Sequence, residues 1–450
     1  MITRRNFLSG IGASSLLIAS SNVSAKSNLG SLNASDEGLR AGSPSDQGKK
    51  LQAILNKASK NNQAVFIEPG HYKVSNITLP KNVRLNGIAG ASKLQYSGGD
   101  HFIYAENSEH IEISGLSFDG ALLPVKGYAE ANLGIVNAKH LNIENCYITN
   151  AAKSGIEVSK SAGRISNNRV DTAVGTAGIV GQANTGLIIS ENAVSECANA
   201  GILVYRRDRG EDNTIITNNR VKFISAVKGG TGQYGNGINT WQADGVMISN
   251  NHISNCAYST IRSNSCSNIQ ITNNTCLRAG ETSIYSEFAF QGALIAGNIV
   301  DGGARGISIA NLDQGGRLTV CANNLVRNIH ENVPYADDQH IFGTGILAEA
   351  DIAITGNVIE KTSRFGMLLG WGEYLRNVTA SNNIIRDTKT GFYVSVVQGV
   401  GQVSITNNII ARANRGIVGY RWQEAVTGDL SNVANNRFKN LNIKDNQVNN

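Results

Sequence analysis

The sequence predicts a single all-β domain, a parallel β-helix with three short strands per coil, and three observations lead there. Only 16% of the 450 residues are Asp, Glu, Lys or Arg, against roughly 25% in typical globular chains, while Gly fills 49 positions, Asn 54 and Pro 5. The pattern Asn-Asn-x-apolar then recurs from residue 145 onward at intervals of 23 to 33 residues. Its second Asn, or the equivalent residue, stands at Asn145, Asn168, Asn192, Asn219, Asn251, Asn274, Asn298, Asn324, Asn357, Asn383, Asn408 and Asn436. Between these lies Gly followed by an apolar residue, as at Gly155-Ile156, Gly201-Ile202, Gly306-Ile307 and Gly416-Ile417, with Thr260-Ile261 and Ser283-Ile284 in the same slot.

Low charge with 41% hydrophobic content excludes a disordered chain, and scarce proline without a G-X-Y period excludes collagen. A helical repeat would need long runs of 3.6 period, which Gly and Asn interrupt every few positions. Stretches such as Leu187-Ile188-Ile189-Ser190 alternate instead, as very short strands do. With coils stacked at ~4.8 Å, about thirteen of them make a rod of about 60 Å.

The elements follow in chain order. Thr3-Arg4-Arg5-Asn6-Phe7-Leu8, the apolar stretch 11–19 and Val23-Ser24-Ala25 read as a removable export signal over residues 1–25. It resembles a twin-arginine signal, which implies the Tat machinery as a partner and the periplasm or the exterior as destination. The apolar stretch falls well short of the ~20 residues a membrane span needs, and no later stretch is long enough, so the mature chain is expected to have no span. Removing Arg4 and Arg5 lowers the net charge of +6 to about +4, spread along the chain, so nucleic acid is not implied as a partner.

Residues 26–44 are expected to be a flexible mature N-terminus, and 45–450 the β-helix. Within the latter, Leu51, Ile54, Leu55 and Ala58 at helical spacing predict a capping helix over 45–61, with Ser45 as N-cap. That helix would close the open end of the rod. The six cysteines have no CxxC and no metal spacing, and are expected as buried thiols. The asparagines are structural: Asn tolerates the left-handed conformation of a sharp corner, and equivalent amides stacked coil on coil can form ladders.

Val65-Phe66-Ile67-Glu68-Pro69-Gly70-His71-Tyr72, after the capping helix, resembles the pectin-lyase-like superfamily, which implies a right-handed parallel β-helix. The signal, Gly229-Gly230-Thr231-Gly232-Gln233, Tyr285-Ser286-Glu287-Phe288, Leu369-Gly370-Trp371-Gly372 and Val426-Thr427-Gly428-Asp429-Leu430 together resemble the family of Tat-translocated repetitive proteins. That resemblance covers nearly the whole chain and implies fold and export, with no reaction attached.

Spacing shows where the coils depart from regularity. The step from the Asn landmark to the next glycine landmark is usually 8 to 10 residues but 18 before Gly237 and 21 before Gly345, which predicts loops over 227–236 and 330–343. Extra residues on the other side of the same strand fall in 206–213, 313–317 and 371–376. Insertions in a solenoid gather on its working face, so these loops should wall the strands that begin at the glycine.

In those strands the apolar residue points inward and its neighbours point out. The outward stripe then carries Glu157, Tyr205, Asn239, Trp241, Arg262, Asn264, Tyr285, Glu287 and Glu349, as the floor of a groove suited to a linear polysaccharide. Tyr205 and Trp241 would stack on sugars, with Arg206, Asn239, Asn264 and Glu349 as further binding residues. For catalysis, Arg262 would neutralise a substrate carboxylate, Tyr285 would act as acid or base, Glu287 would orient Arg262, and His340 would reach in from its loop.

The paired aspartates of polygalacturonase-type sites and the Asp-Pro-His-Asp motif of alginate epimerases are both missing. No His-x-His or HExxH pair supports a metal centre, and no cofactor is expected; calcium at Asp337-Asp338 is the one ion the sequence allows, against the plainer reading of a solvated acidic pair. The first expectation is an exported protein that binds an acidic polysaccharide and cleaves it by β-elimination or epimerises it. The alternative is a non-catalytic periplasmic module that grips a glycan or a protein with the same face, resembling the β-helical accessory proteins of copper-enzyme maturation.

Overall fold

The computed structural model describes residues 30–230, 232–336, 341–431 and 438–449. The export signal, Asp337, Asp338, His340 and Asn436 therefore lie outside the described residues. The fold is a right-handed parallel β-helix in which every coil contributes to three parallel sheets. The glycine-led sheet runs in register through Ile156, Ile179, Ile202, Ile238, Ile261, Ile284, Ile307 and Ile346, so Thr260 and Ser283 do occupy the glycine slot before Ile261 and Ile284. At Gly237 itself close approach excludes a side chain: a Cβ would meet the Ile253 side chain at 2.3 Å and the Thr260 carbonyl of the next coil at 2.7 Å.

The second sheet stacks Ile165, Ile189, Ile216, Ile248, Ile271 and Ile295, and the third stacks Val170, Val194, Val221, Ile253, Cys276 and Val300. These inward residues are essentially inaccessible and form one continuous core along the rod. All six cysteines are buried free thiols, and burial pushes several of them, Cys321 among them, up to about 12.

The two asparagines of the repeat have separate jobs. The first turns the corner in the left-handed region, as at Asn167 (φ 53°), Asn218 (φ 57°) and Asn273 (φ 57°). The second points inward, and its amide joins a ladder. The Asn298 oxygen accepts the backbone N–H and the side-chain amide of Asn274, at 2.9 and 3.1 Å. Its own amide donates to the Ile271 carbonyl and to Asn324, at 2.9 and 3.0 Å.

Two repeat positions need correction. Asn145 is a corner residue (φ 52°), and Cys146 takes the inward place, its N–H donating to the Asn168 oxygen at 3.0 Å. At the other end Asn408 donates to Asn446, which closes the ladder among the described residues.

The capping helix spans Gly48–Lys60 and buries Leu51, Ile54, Leu55 and Ala58 as the spacing predicts. Ser45 does not cap it; the Gly48 N–H donates instead to the Asp46 carboxylate at 2.8 Å. The segment expected to be flexible is also corrected, because Ser31–Asn33 pairs in parallel with Ala64–Phe66 and Leu39 is buried in the core. No helix among the described residues is long and apolar enough to cross a membrane.

Candidate functional site

The outward stripe of the glycine-led sheet lies in the register that the spacing predicts. Asn239 pairs with Arg262 and Arg262 with Tyr285, while Tyr205, Trp241, Asn264 and Glu287 follow one another in the adjacent row. Its middle, however, is not an open groove floor. The loop before Asn236 folds over it, and the Gly232 backbone lies so close to the Arg262 guanidinium that a side chain there would collide with it.

Under this roof Arg262 donates its Nε–H to the Glu287 carboxylate at 2.5 Å, with the two side chains 11% and 3% exposed. Asn264 donates to the same Glu287 oxygen at 3.1 Å. Burial raises the Glu287 carboxyl above its ordinary range, and the Arg262 charge opposes that rise. Glu287 is thus the ion-pair partner of Arg262, in a pair almost wholly withdrawn from solvent. Asn239 is buried too, its amide donating to the Gln233 carbonyl at 3.4 Å.

Tyr285 is partly buried and packs against the same apolar cluster as Ile341 of the second long loop. Burial pushes the Tyr285 hydroxyl well above its usual range, with the Glu287 charge adding to the effect. Tyr335 of this loop stacks on Tyr258 with ring centroids 6.4 Å apart, and Phe342 lies 4.5 Å beneath the Arg305 guanidinium. Spacing did not single out Arg305. Its Nε and Nη2 have no hydrogen-bond partner among the described residues, and Nη1 donates to the Ser308 hydroxyl at 3.4 Å. A signal was available, because Arg305 stands between Thr282 and Thr344 in its register row, a long cation flanked by two small residues.

Arg206 also turns inward, lying 3.5 Å from the fully buried Asp212 carboxylate and donating to the Asn184 carbonyl at 3.3 Å. Glu349 is buried, accepts the Leu312 N–H at 2.8 Å, and is pushed up to about 7 chiefly by desolvation. Of the residues expected on the groove floor, Tyr205 and Trp241 remain outward and accessible. Their rings stack 6.3 Å apart at 26°, and Trp241 is 39% exposed.

Burial raises the Tyr205 hydroxyl, with Glu157 adding to the rise and the exposed Arg207 opposing it, and Glu157 itself is pushed up to about 7 by burial and by Glu130. Two adjacent rings with an exposed cation and a carboxyl able to hold a proton near neutrality can stack on a sugar and hydrogen-bond its substituents. No group of three or more His, Cys, Asp or Glu gathers to hold a metal ion among the described residues.

The sequence profile described as right handed beta helix region matches residues 81–231 and 209–326, more than half of the chain. The chain belongs to this right-handed β-helix family. Among solved structures, this β-helix resembles gene product 12 of bacteriophage phi29 in its pre-mature form, with a TM-score of 0.54 and 15% identity over 89% of the chain. The chain spans 58% of that protein. It also resembles the A-module of a mannuronan C-5 epimerase from Azotobacter vinelandii, with a TM-score of 0.49 and 15% identity over 88% of this chain and all of that one. A third likeness is to the catalytic unit of an α-1,3-glucanase from Streptomyces thermodiastaticus, with a TM-score of 0.46 and 13% identity over 94% of this chain and 69% of that one. At these identities the likeness is one of fold. Among curated proteins no relative is found.

Proposed function

We propose that this β-helix is an exported glycan-binding protein that holds a linear, acidic polysaccharide along the glycine-led sheet, with Tyr205 and Trp241 as its sugar-stacking platform. The observation that carries this reading is the pair of stacked aromatic rings, one of them, Trp241, the exposed residue of a stripe otherwise partly or wholly buried. Arg207 beside the platform supplies a cation for a uronate carboxylate, and protonated Glu157 a hydrogen-bond donor.

Binding is favoured over β-elimination because the cation of the catalytic reading, Arg262, would have to reach the substrate carboxylate beside Tyr285. Arg262 instead donates its Nε–H to Glu287, with the Gly232 backbone close over its guanidinium. Export through the Tat machinery to the periplasm belongs to the same proposal, resting on Arg4-Arg5 and the apolar stretch behind them.

The test is affinity electrophoresis of the protein through gels carrying alginate, pectate or neutral glucans. Retardation by a uronate polymer, lost in Tyr205→Ala and Trp241→Ala with unchanged circular dichroism, is the expected result. Equal retardation of both variants and the parent protein sinks the platform. An unsaturated or shortened product, formed by the parent protein and abolished in Tyr285→Phe, would replace the binding reading with a lyase.

A further inference from the structure

All three tryptophans of the chain stand at the glycine-led sheet or on turns that leave it. Trp241 belongs to the platform already described. Trp371 follows the strand Val358–Leu369, and Trp422 sits at the tip of the hairpin that joins Ile409–Arg421 to Glu424–Asp429, where Arg421 opposes Glu424.

Trp422 is held in the left-handed region, at φ 53°, and remains 43% exposed. A two-residue hairpin turn between Arg421 and Glu424 calls for that conformation at Trp422. Its indole lies against Gly372, where any side chain would collide with the ring. Trp371 and Tyr374 meet it nearly at right angles, at 82° and 85°, with centroids 5.6 and 6.3 Å away. Trp371 in turn stacks on buried Tyr393 at 6.2 Å, and Tyr393 on Tyr420 at 4.3 Å.

The outcome is a corner formed by the exposed indole of Trp422 and the partly buried indole of Trp371, backed by an aromatic stack. A sugar ring entering the corner would find one face to stack on and one edge to pack against.

The corner shares the register of the first platform. Trp241 is level with Asn264 and then Glu287, and Ala348 is level with Leu369, which places Trp371 about five coil steps from Trp241, or ~24 Å at 4.8 Å per coil. We propose that Trp371, Tyr374 and Trp422 form a second sugar-stacking platform, so that the ligand is a linear polysaccharide long enough to lie on both platforms at once. This rests on the reading of Tyr205 and Trp241 as the first platform.

Titration calorimetry with size-fractionated oligosaccharides of the retarding polymer, alongside tryptophan fluorescence, separates the two claims. A long fraction should bind with a stoichiometry of one and lose about 100-fold in affinity in Trp422→Ala and in Trp241→Ala alike, since each change abolishes simultaneous engagement. A fraction too short to bridge the platforms should bind twice per chain in the parent protein and once in each variant. Trp422→Phe should keep most of the affinity.

An unchanged long-chain affinity in Trp422→Ala, with the loss intact in Trp241→Ala, overturns the second platform and leaves the first. The reverse pattern removes the first and keeps the second. A short fraction that binds once to the parent protein overturns the second platform even if Trp422→Ala fails to fold.

Discussion

Glu349 shows how one buried side chain ties site and stability together. Its carboxyl is pushed from 4.5 to about 7 by desolvation, with Asp313 adding to the rise and the Leu312 and Asn311 amides opposing it. The folded chain thus holds this proton more tightly than the unfolded one. The associated stability is full below pH 4.5 and is lost as pH rises to about 7. Glu349→Gln keeps the acceptor for Leu312 and removes the titration. Urea denaturation should find the variant equal to the parent below pH 4.5 and more stable above pH 7, by up to about 3 kcal/mol. A variant less stable at every pH would show that the carboxylate itself is required. At this scale the sequence exposed the identity of the stripe but not its environment. Arg262 and Glu287 are read correctly as neighbours from a period of two along the strand, yet their burial depends on a loop whose path no local pattern encodes.

Among elements, the asparagine ladder does work that a strand cannot. At each corner the sheet is interrupted, and inward backbone groups would be left without partners in a dry core. The second Asn of each repeat supplies them, as Asn298 does for the Asn274 N–H and the Ile271 carbonyl. Asn298→Ala leaves these groups unpaired and should cost about 2 to 5 kcal/mol. Asn298→Asp should also destabilise, because a carboxylate cannot donate to Ile271. Equilibrium denaturation measures both, and a variant within 0.5 kcal/mol of the parent, roughly the spread of surface substitutions, would contradict the ladder's role. The repeat pattern made the ladder legible, because an inward Asn must recur once per coil. It misplaced the first rung, where Cys146 stands in for Asn, since only the strand register shows which of two adjacent residues faces in.

For the whole molecule, each coil is supported by its neighbours alone, so the ends decide whether the rod is safe. Helix Gly48–Lys60 lays Leu51 and Leu55, both fully buried, over the first coils. Leu55→Asp should open that end. Hydrogen exchange should then quicken in the strands Ala64–Phe66, Gly70–Val74 and Asn82–Asn86, while Gln291–Ala296, deep in the stack, keeps its protection. Uniform loss of protection along the rod would instead mean that the coils unfold as one unit. The sequence by itself determined the solenoid, the inward residues, the capping helix and the positions of the inserted loops, because each follows from a period that chain geometry imposes on neighbouring residues. Only the tertiary structure decided that the loop before Asn236 folds over Arg262 and Asn239 and leaves Trp241 exposed. Whether a loop stands beside a strand or lies across it depends on contacts between residues far apart in the chain, and no repeat encodes those.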